Sequence, residues 1–185
     1  MAEVFNKLNY FHDLPPGPNP PEEIYAFVEI PRGGTNKYEY KKELGTLMLD
    51  RVLYESVFYP TEYGFVPQTW ISAEKDPLDI MVITTNPTFP GCLLKVRPVG
   101  MIKISDSGQP DNKIVAVATQ DPRLSHIQTV NDYNPHFRVE VESFWENYSR
   151  LQTDKEIKIL GWGDLAEAKK YLDQAIVAYQ EEFGG

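Results

Sequence analysis

The chain has 185 residues, of which 42% are hydrophobic and 12% aromatic, enough to bury one core and too apolar for disorder. Its net charge of −9 argues against nucleic acid or an anionic membrane as a general partner, although a bound metal ion can invert the field locally for a small anion. A single cysteine, Cys92, excludes an intramolecular disulfide and a multi-cysteine zinc site.

The first residues, "MAEVFNKLNYFHDL", lack the basic start and apolar core of a secretory signal. No apolar run approaches the roughly 20 residues of a membrane helix. The expectation is one cytoplasmic domain over residues 1–185, with a Pro-rich arm over 1–22. Within that arm, five prolines fall between Pro15 and Pro21, which predicts extended backbone with few hydrogen bonds.

Runs with strand chemistry follow at Ile24–Ile30, Tyr38–Lys42, Thr46–Leu53, Val57–Phe65, Ile80–Thr84, Leu93–Val99, Lys113–Ala118 and Ile157–Leu160. Turn signals such as "RGGTN", "NPTFPG" and "DSGQPDN" separate several of them. Short strands so spaced predict a closed barrel. Two segments have helical period instead. In "HFRVEVESFWENYSRL", Phe137, Val141, Phe144, Trp145, Tyr148 and Leu151 form one stripe. In "GDLAEAKKYLDQAIVAYQEEF", Leu165, Ala168, Leu172, Ile176, Tyr179 and Phe183 do the same, with a capping box at Asp164 and Glu167 and a stop at Gly184. The predicted fold is mainly β with flanking helices: a barrel and two main helices.

Acids cluster at strand ends. Glu74, Asp76 and Asp79 precede one apolar run, Asp106 and Asp111 bracket a turn, and Glu29 and Glu39 lie within strands. Any one of them alone reads as a solvated turn residue. Glu29 and Asp79 resist that reading, because their neighbours are apolar. If the carboxylates converge, a hard divalent cation is the usual solution, and oxygen donors favour Mg²⁺ or Mn²⁺ over Zn²⁺. Lys37, Arg51 and Lys113 lie on or near the same strands, where they can form cross-strand ion pairs or hold phosphoryl oxygens. Tyr59 and Tyr63 read as barrel aromatics whose hydroxyls can also donate. "RGGTNK" lacks the spacing and ending of a P-loop, and Cys92 reads as a packing residue.

Five stretches, "EIPRGGTNKYEY", "DRVLYESVFYPTEYGF", "DPLDIMV", "VRPVGMIKISDSGQPDNKIVAV" and "ILGW", stand in this order. Together they resemble the first family of soluble inorganic pyrophosphatases, from about Leu14 to Tyr179. The resemblance implies a five-stranded OB-like barrel, several Mg²⁺ ions and hydrolysis of pyrophosphate by a metal-activated water. It implies Asp76 and Asp79 as catalytic with Arg51 and Tyr59, and Glu29, Glu39, Glu74, Asp79, Asp106 and Asp111 as metal ligands. Substrate binding falls to Lys37, Arg51, Tyr63, Lys113 and Tyr148, and self-association to a homohexamer. Two other readings compete: a silent relative that binds metal and pyrophosphate without turnover, and a nucleic-acid-binding barrel. The acidic balance and the lack of a basic aromatic stripe oppose the latter.

The pattern breaks at three places. Glu74 and Lys75 stand where the family has Asp-Gly, and Ser149 stands where a lysine commonly follows the tyrosine. If position 75 requires positive φ, lysine there costs about 1 kcal/mol or more. On a regular helix Arg150 lies about 200° round from Tyr148 and cannot replace that lysine. Glu74→Asp and Ser149→Lys are each expected to change activity or its Mg²⁺ dependence, read from phosphate release across a Mg²⁺ titration.

Overall fold

Branched and aromatic residues in "IYAFVEI" make β1 (Ile24–Ile30), the strand on which the sheet closes in the computed structural model, which describes residues 8–152 and 156–184. The part of the expected arm at residues 1–7 lies outside the described residues. Residues 8–23 run as turns and bends, with Phe11 buried. Two further strands, β2 (Asn36–Lys41) and β3 (Thr46–Val52), pair as a separate antiparallel hairpin.

The main sheet adds β4 (Glu62–Phe65), β5 (Asp79–Ile83), β6 (Leu93–Asp106), β7 (Gln109–Pro110), β8 (Lys113–Ala118) and β9 (Ile157–Gly163). β1 pairs with β4, β4 with β5, β5 with β8, β8 with β6, and β6 returns to β1. These pairings close a ring of five strands, the barrel that strand spacing predicts. All are antiparallel except β5–β8.

Burial follows strand alternation on both faces of β5 and β8. Met81, Ile83, Val115 and Val117 belong to a core shared with α1 (His136–Asn147), while Ile80, Val82, Ile114 and Ala116 join one shared with α2 (Leu165–Phe183). Two buried faces explain why these strands read as nearly unbroken apolar runs.

Three boundaries differ from the sequence reading by four residues or more. Of the Val57–Phe65 run, only Glu62–Phe65 is strand. Pro60 has no N–H to give a ladder, and Tyr59 bonds instead to the loop at Gly33 and Gly34. β6 does not stop at Val99 but runs to Asp106. The break at Pro98–Gly100 is absorbed as a register shift against β8, and the second half of β6 takes β9 as partner. α1 ends at Asn147 rather than Leu151, because the chain tightens into i→i−3 bonds: Tyr148 N–H to the Trp145 carbonyl at 3.3 Å and Arg150 N–H to that of Asn147 at 3.2 Å. Leu151 therefore leaves the apolar stripe and is 65% exposed. α2 begins at its expected capping box, Glu167 N–H to Asp164 Oδ1 at 2.9 Å and Asp164 N–H to Glu167 Oε2 at 3.1 Å.

β1 and β4 approach too closely for a side chain at Gly64. A β-carbon there would lie 1.9 Å from the Phe27 carbonyl oxygen. Gly64→Ala is expected to destabilise the fold by about 3 kcal/mol, measured as a lower urea midpoint.

Candidate active site

The loop between β4 and β5 delivers the first acids. Ile71 N–H bonds the Asp76 carbonyl at 2.8 Å, and the N–H groups of Glu74 and Lys75 return to the Ile71 carbonyl at 3.0 and 2.8 Å. This tight turn puts Lys75 at φ 55°, the left-handed region that the sequence reading identified as the costly case for lysine. Asp79 follows as the first residue of β5.

Parallel pairing then does what sequence distance conceals. Ile80 stands opposite Ile114, so Asp79 at the start of β5 comes level with Lys113 at the start of β8, and Asp111 lies just ahead. Carboxylate oxygens of Glu74, Asp79 and Asp111 all lie within 4.8 Å of one another. Lys113 Nζ is 2.6 Å from both Asp79 Oδ2 and Asp111 Oδ1, and its side chain is only 2% exposed. The Tyr63 hydroxyl donates to Asp79 Oδ2 at 2.5 Å. The Trp145 ring packs 5.0 Å from the Lys113 ammonium.

The β2–β3 hairpin supplies the facing wall. Lys37 and Lys41 each reach Glu39, at 2.6 Å. Arg51, opposite Lys37 in register, pairs with Asp50 and donates to the Tyr148 hydroxyl at 3.3 Å. The Tyr59 hydroxyl also donates to that of Tyr148, at 3.2 Å. Glu29 sits at a register shift in β1 and accepts the Tyr40 N–H at 2.6 Å.

Two adjoining hollows, about 310 and 440 Å³, share Lys37, Tyr63, Glu74, Asp76 and Asp79 as walls. Glu29 and Glu39 line the first, and Asp106, Asp111, Lys113 and Tyr148 the second. Eleven of the thirteen expected site residues thus line one cleft. Arg51 and Tyr59 do not line it; both donate to the Tyr148 hydroxyl. Ser149 is 4% exposed and Arg150 lies outside the cleft wall. A larger cavity of about 770 Å³ elsewhere has Glu140 as its only acid. Sequence reasoning missed Asp50, Lys41 and Lys42. Lys41 was legible from the i, i+2, i+4 spacing of Lys37, Glu39 and Lys41 on one strand face. Lys42, which pairs with Asp76 at 2.6 Å, left no such signal.

The charges fall into two regimes. Burial would raise Glu39, but Lys37 and Lys41 outweigh it and hold the carboxyl at about 2. Burial pushes Glu29 up to about 8 against the Tyr40 N–H, and burial with Asp111 and Asp79 nearby pushes Glu74 up to about 8. Burial also raises Asp76, despite Lys42, and Asp111, despite Lys113. Tyr59 and Tyr63 are raised well above the usual phenol by burial and remain neutral donors. Clustered carboxylates held this high call for protons or a hard dication, and all-oxygen donors fit the latter.

The profile of the inorganic pyrophosphatase family matches residues 26–180. This chain belongs to that family. It is 43% identical over 176 residues to an inorganic pyrophosphatase of Haloferax volcanii, covering 95% of this chain and 99% of that one. It is 45% identical over 174 residues to that of Picrophilus torridus, covering 94% and 97%. The crystal structure of the Thermus thermophilus inorganic pyrophosphatase superposes with a TM-score of 0.90 at 38% identity, over 94% of this chain and 99% of that one. Pyrophosphatases of this family need a divalent metal ion, and Glu74, Asp79 and Asp111 are a donor set of the kind it requires.

Glu29 and Glu74 keep protons in the metal-free fold at pH values where the unfolded chain, with ordinary carboxyls near 4.5, has released them. The folded state thus binds more protons between about pH 4.5 and 8, so metal-free stability falls as pH rises through that window. The urea midpoint is expected to be lower at about pH 8 than at about pH 5, and saturating MgCl₂ is expected to remove most of the difference by replacing those protons.

Proposed function

We propose that this protein hydrolyses inorganic pyrophosphate to two phosphates with Mg²⁺ held in the cleft, Mn²⁺ being a possible substitute. The convergence of Glu74, Asp79 and Asp111 within 4.8 Å carries this reading, in a chain that belongs to the pyrophosphatase family. When bound, the metal lowers the pKa of water from about 15.7 towards neutrality and offsets phosphoryl charge.

The chain's own residues supply the rest. Glu74, Asp79 and Asp111 would hold the metal, with Asp106, Glu29 and Glu39 as further ligands. Asp76, on the loop beside Asp79, orients the attacking water and takes its proton. Lys37 and Tyr148 hold the leaving phosphate as its charge develops, with Arg51 positioned through the Tyr148 hydroxyl. Lys113, held by Asp79 and Asp111 at 2.6 Å each, would neutralise the phosphate under attack. Tyr63 orients Asp79, and Tyr59 positions Tyr148.

This reading includes one cytoplasmic domain over the whole chain, assembled as a homohexamer by family resemblance. Exposed Phe58, Phe89 and Val139 are available to such an assembly. None of the described helices is long and apolar enough to cross a membrane.

Phosphate release from pyrophosphate is expected to rise with Mg²⁺ and saturate. Asp79→Ala is expected to lower it by about 1,000-fold or more, because it removes a central ligand and leaves Lys113 with one partner. Pyrophosphate binding without release at any Mg²⁺ or Mn²⁺ concentration would make the chain a silent binder.

A further inference from the structure

Lys75 stands at the tip of the 71–76 turn with φ 55°, a conformation glycine adopts freely and lysine adopts at a cost. Lys75 is exposed and lines the same hollow as Glu29, Glu74 and Asp76. Every other lysine lining the cleft ends on a carboxylate: Lys37 and Lys41 on Glu39, Lys42 on Asp76, and Lys113 on Asp79 and Asp111. The Lys75 ammonium makes no hydrogen bond or ion pair with any described residue, although Glu74 and Asp76 flank it in sequence. The hollow that holds Tyr148 and Trp145 has Lys37 and Lys113 as its cations among the described residues, both already on carboxylates, and neither buried Ser149 nor Arg150 lines it.

A paired ammonium such as Lys37 or Lys113 must share its carboxylate with an incoming phosphate, so its net gain is reduced. An uncommitted one gains a new charge-assisted bond, less the rotamer freedom it loses. A lysine serving only solubility would not need this strained site, whereas backbone strain kept beside a cleft is a common mark of function.

We infer that Lys75 is a substrate-binding residue, its ammonium taking a phosphoryl oxygen of a diphosphate on the loop-side wall of the cleft. The inference rests on the diphosphate hydrolase reading and adds a specificity contact that the carboxylate cluster does not supply.

The test compares Lys75→Met, which removes charge and keeps the backbone, with Lys75→Gly, which also relieves the strain, and Lys75→Arg, which keeps the charge. Two readouts are taken at saturating Mg²⁺: KM against kcat for pyrophosphate, and calorimetric binding of imidodiphosphate, a diphosphate that resists hydrolysis. Lys75→Met and Lys75→Gly are expected to raise KM and the imidodiphosphate Kd by about three- to tenfold, with a smaller change in kcat. Lys75→Arg is expected to stay within about twofold of the parent, and added salt to narrow all differences. Unchanged KM and Kd in both Met and Gly variants overturn the inference. So does an equal shift in Mg²⁺ affinity measured without any diphosphate, which would place the effect on the metal. A parent that binds imidodiphosphate but releases no phosphate defeats the hydrolase reading alone, leaving Lys75 to be decided by the binding constants. A parent that binds no diphosphate defeats both.

Discussion

Lys113 is almost wholly buried, and its ammonium is shared between Asp79 and Asp111 at 2.6 Å each. That arrangement depends on β5 and β8 running parallel with Ile80 opposite Ile114. An antiparallel pair would put the start of one strand beside the end of the other and separate the three charges by the length of β5. Burying a lysine penalises its charged form, and the two carboxylates reverse that, holding it well above the ordinary ammonium value. Removing one partner from such a group leaves charge stranded in a poor solvent, typically at a cost of about 3–5 kcal/mol. The same three residues thus bind the starts of β5 and β8 together at the cleft.

The cleft carries both signs of charge at short range. Glu39 is ionised throughout the physiological range because two lysines serve it, while Glu29 and Glu74 retain protons for want of such partners. A protein with net charge −9 would repel a densely anionic substrate over its surface. A dication bound in the cleft would reverse that field locally. Acidic solubility and anion recognition then coexist in one small molecule.

The end of α1 links the two walls. Tyr148, at the C-terminus of α1 on its buried stripe, has a hydroxyl that receives Arg51 from the hairpin and Tyr59 from the barrel. Beyond it the chain tightens, with Ser149 buried and Arg150 exposed.

Much of this was legible in the order of residues alone. Periodicity located both helices, Asp164 and Glu167 marked the start of α2, and five motifs in order pointed to the family and held nine of the eleven expected residues that line the cleft. Those signals are local, since capping and amphipathic spacing involve residues within a turn or two. Tertiary structure decided what depends on distant partners. It chose where β4 begins, because Tyr59 bonds the Gly33–Gly34 loop, and how far β6 runs, because β9 extends its ladder beyond Gly100. It also chose which lysine pairs with which acid: Lys42 took Asp76, while Lys75 has no ion-pair partner among the described residues. Hydrogen bonds and ion pairs across 20 to 90 residues of chain leave no period in a sequence, and only the closed barrel brings those groups together.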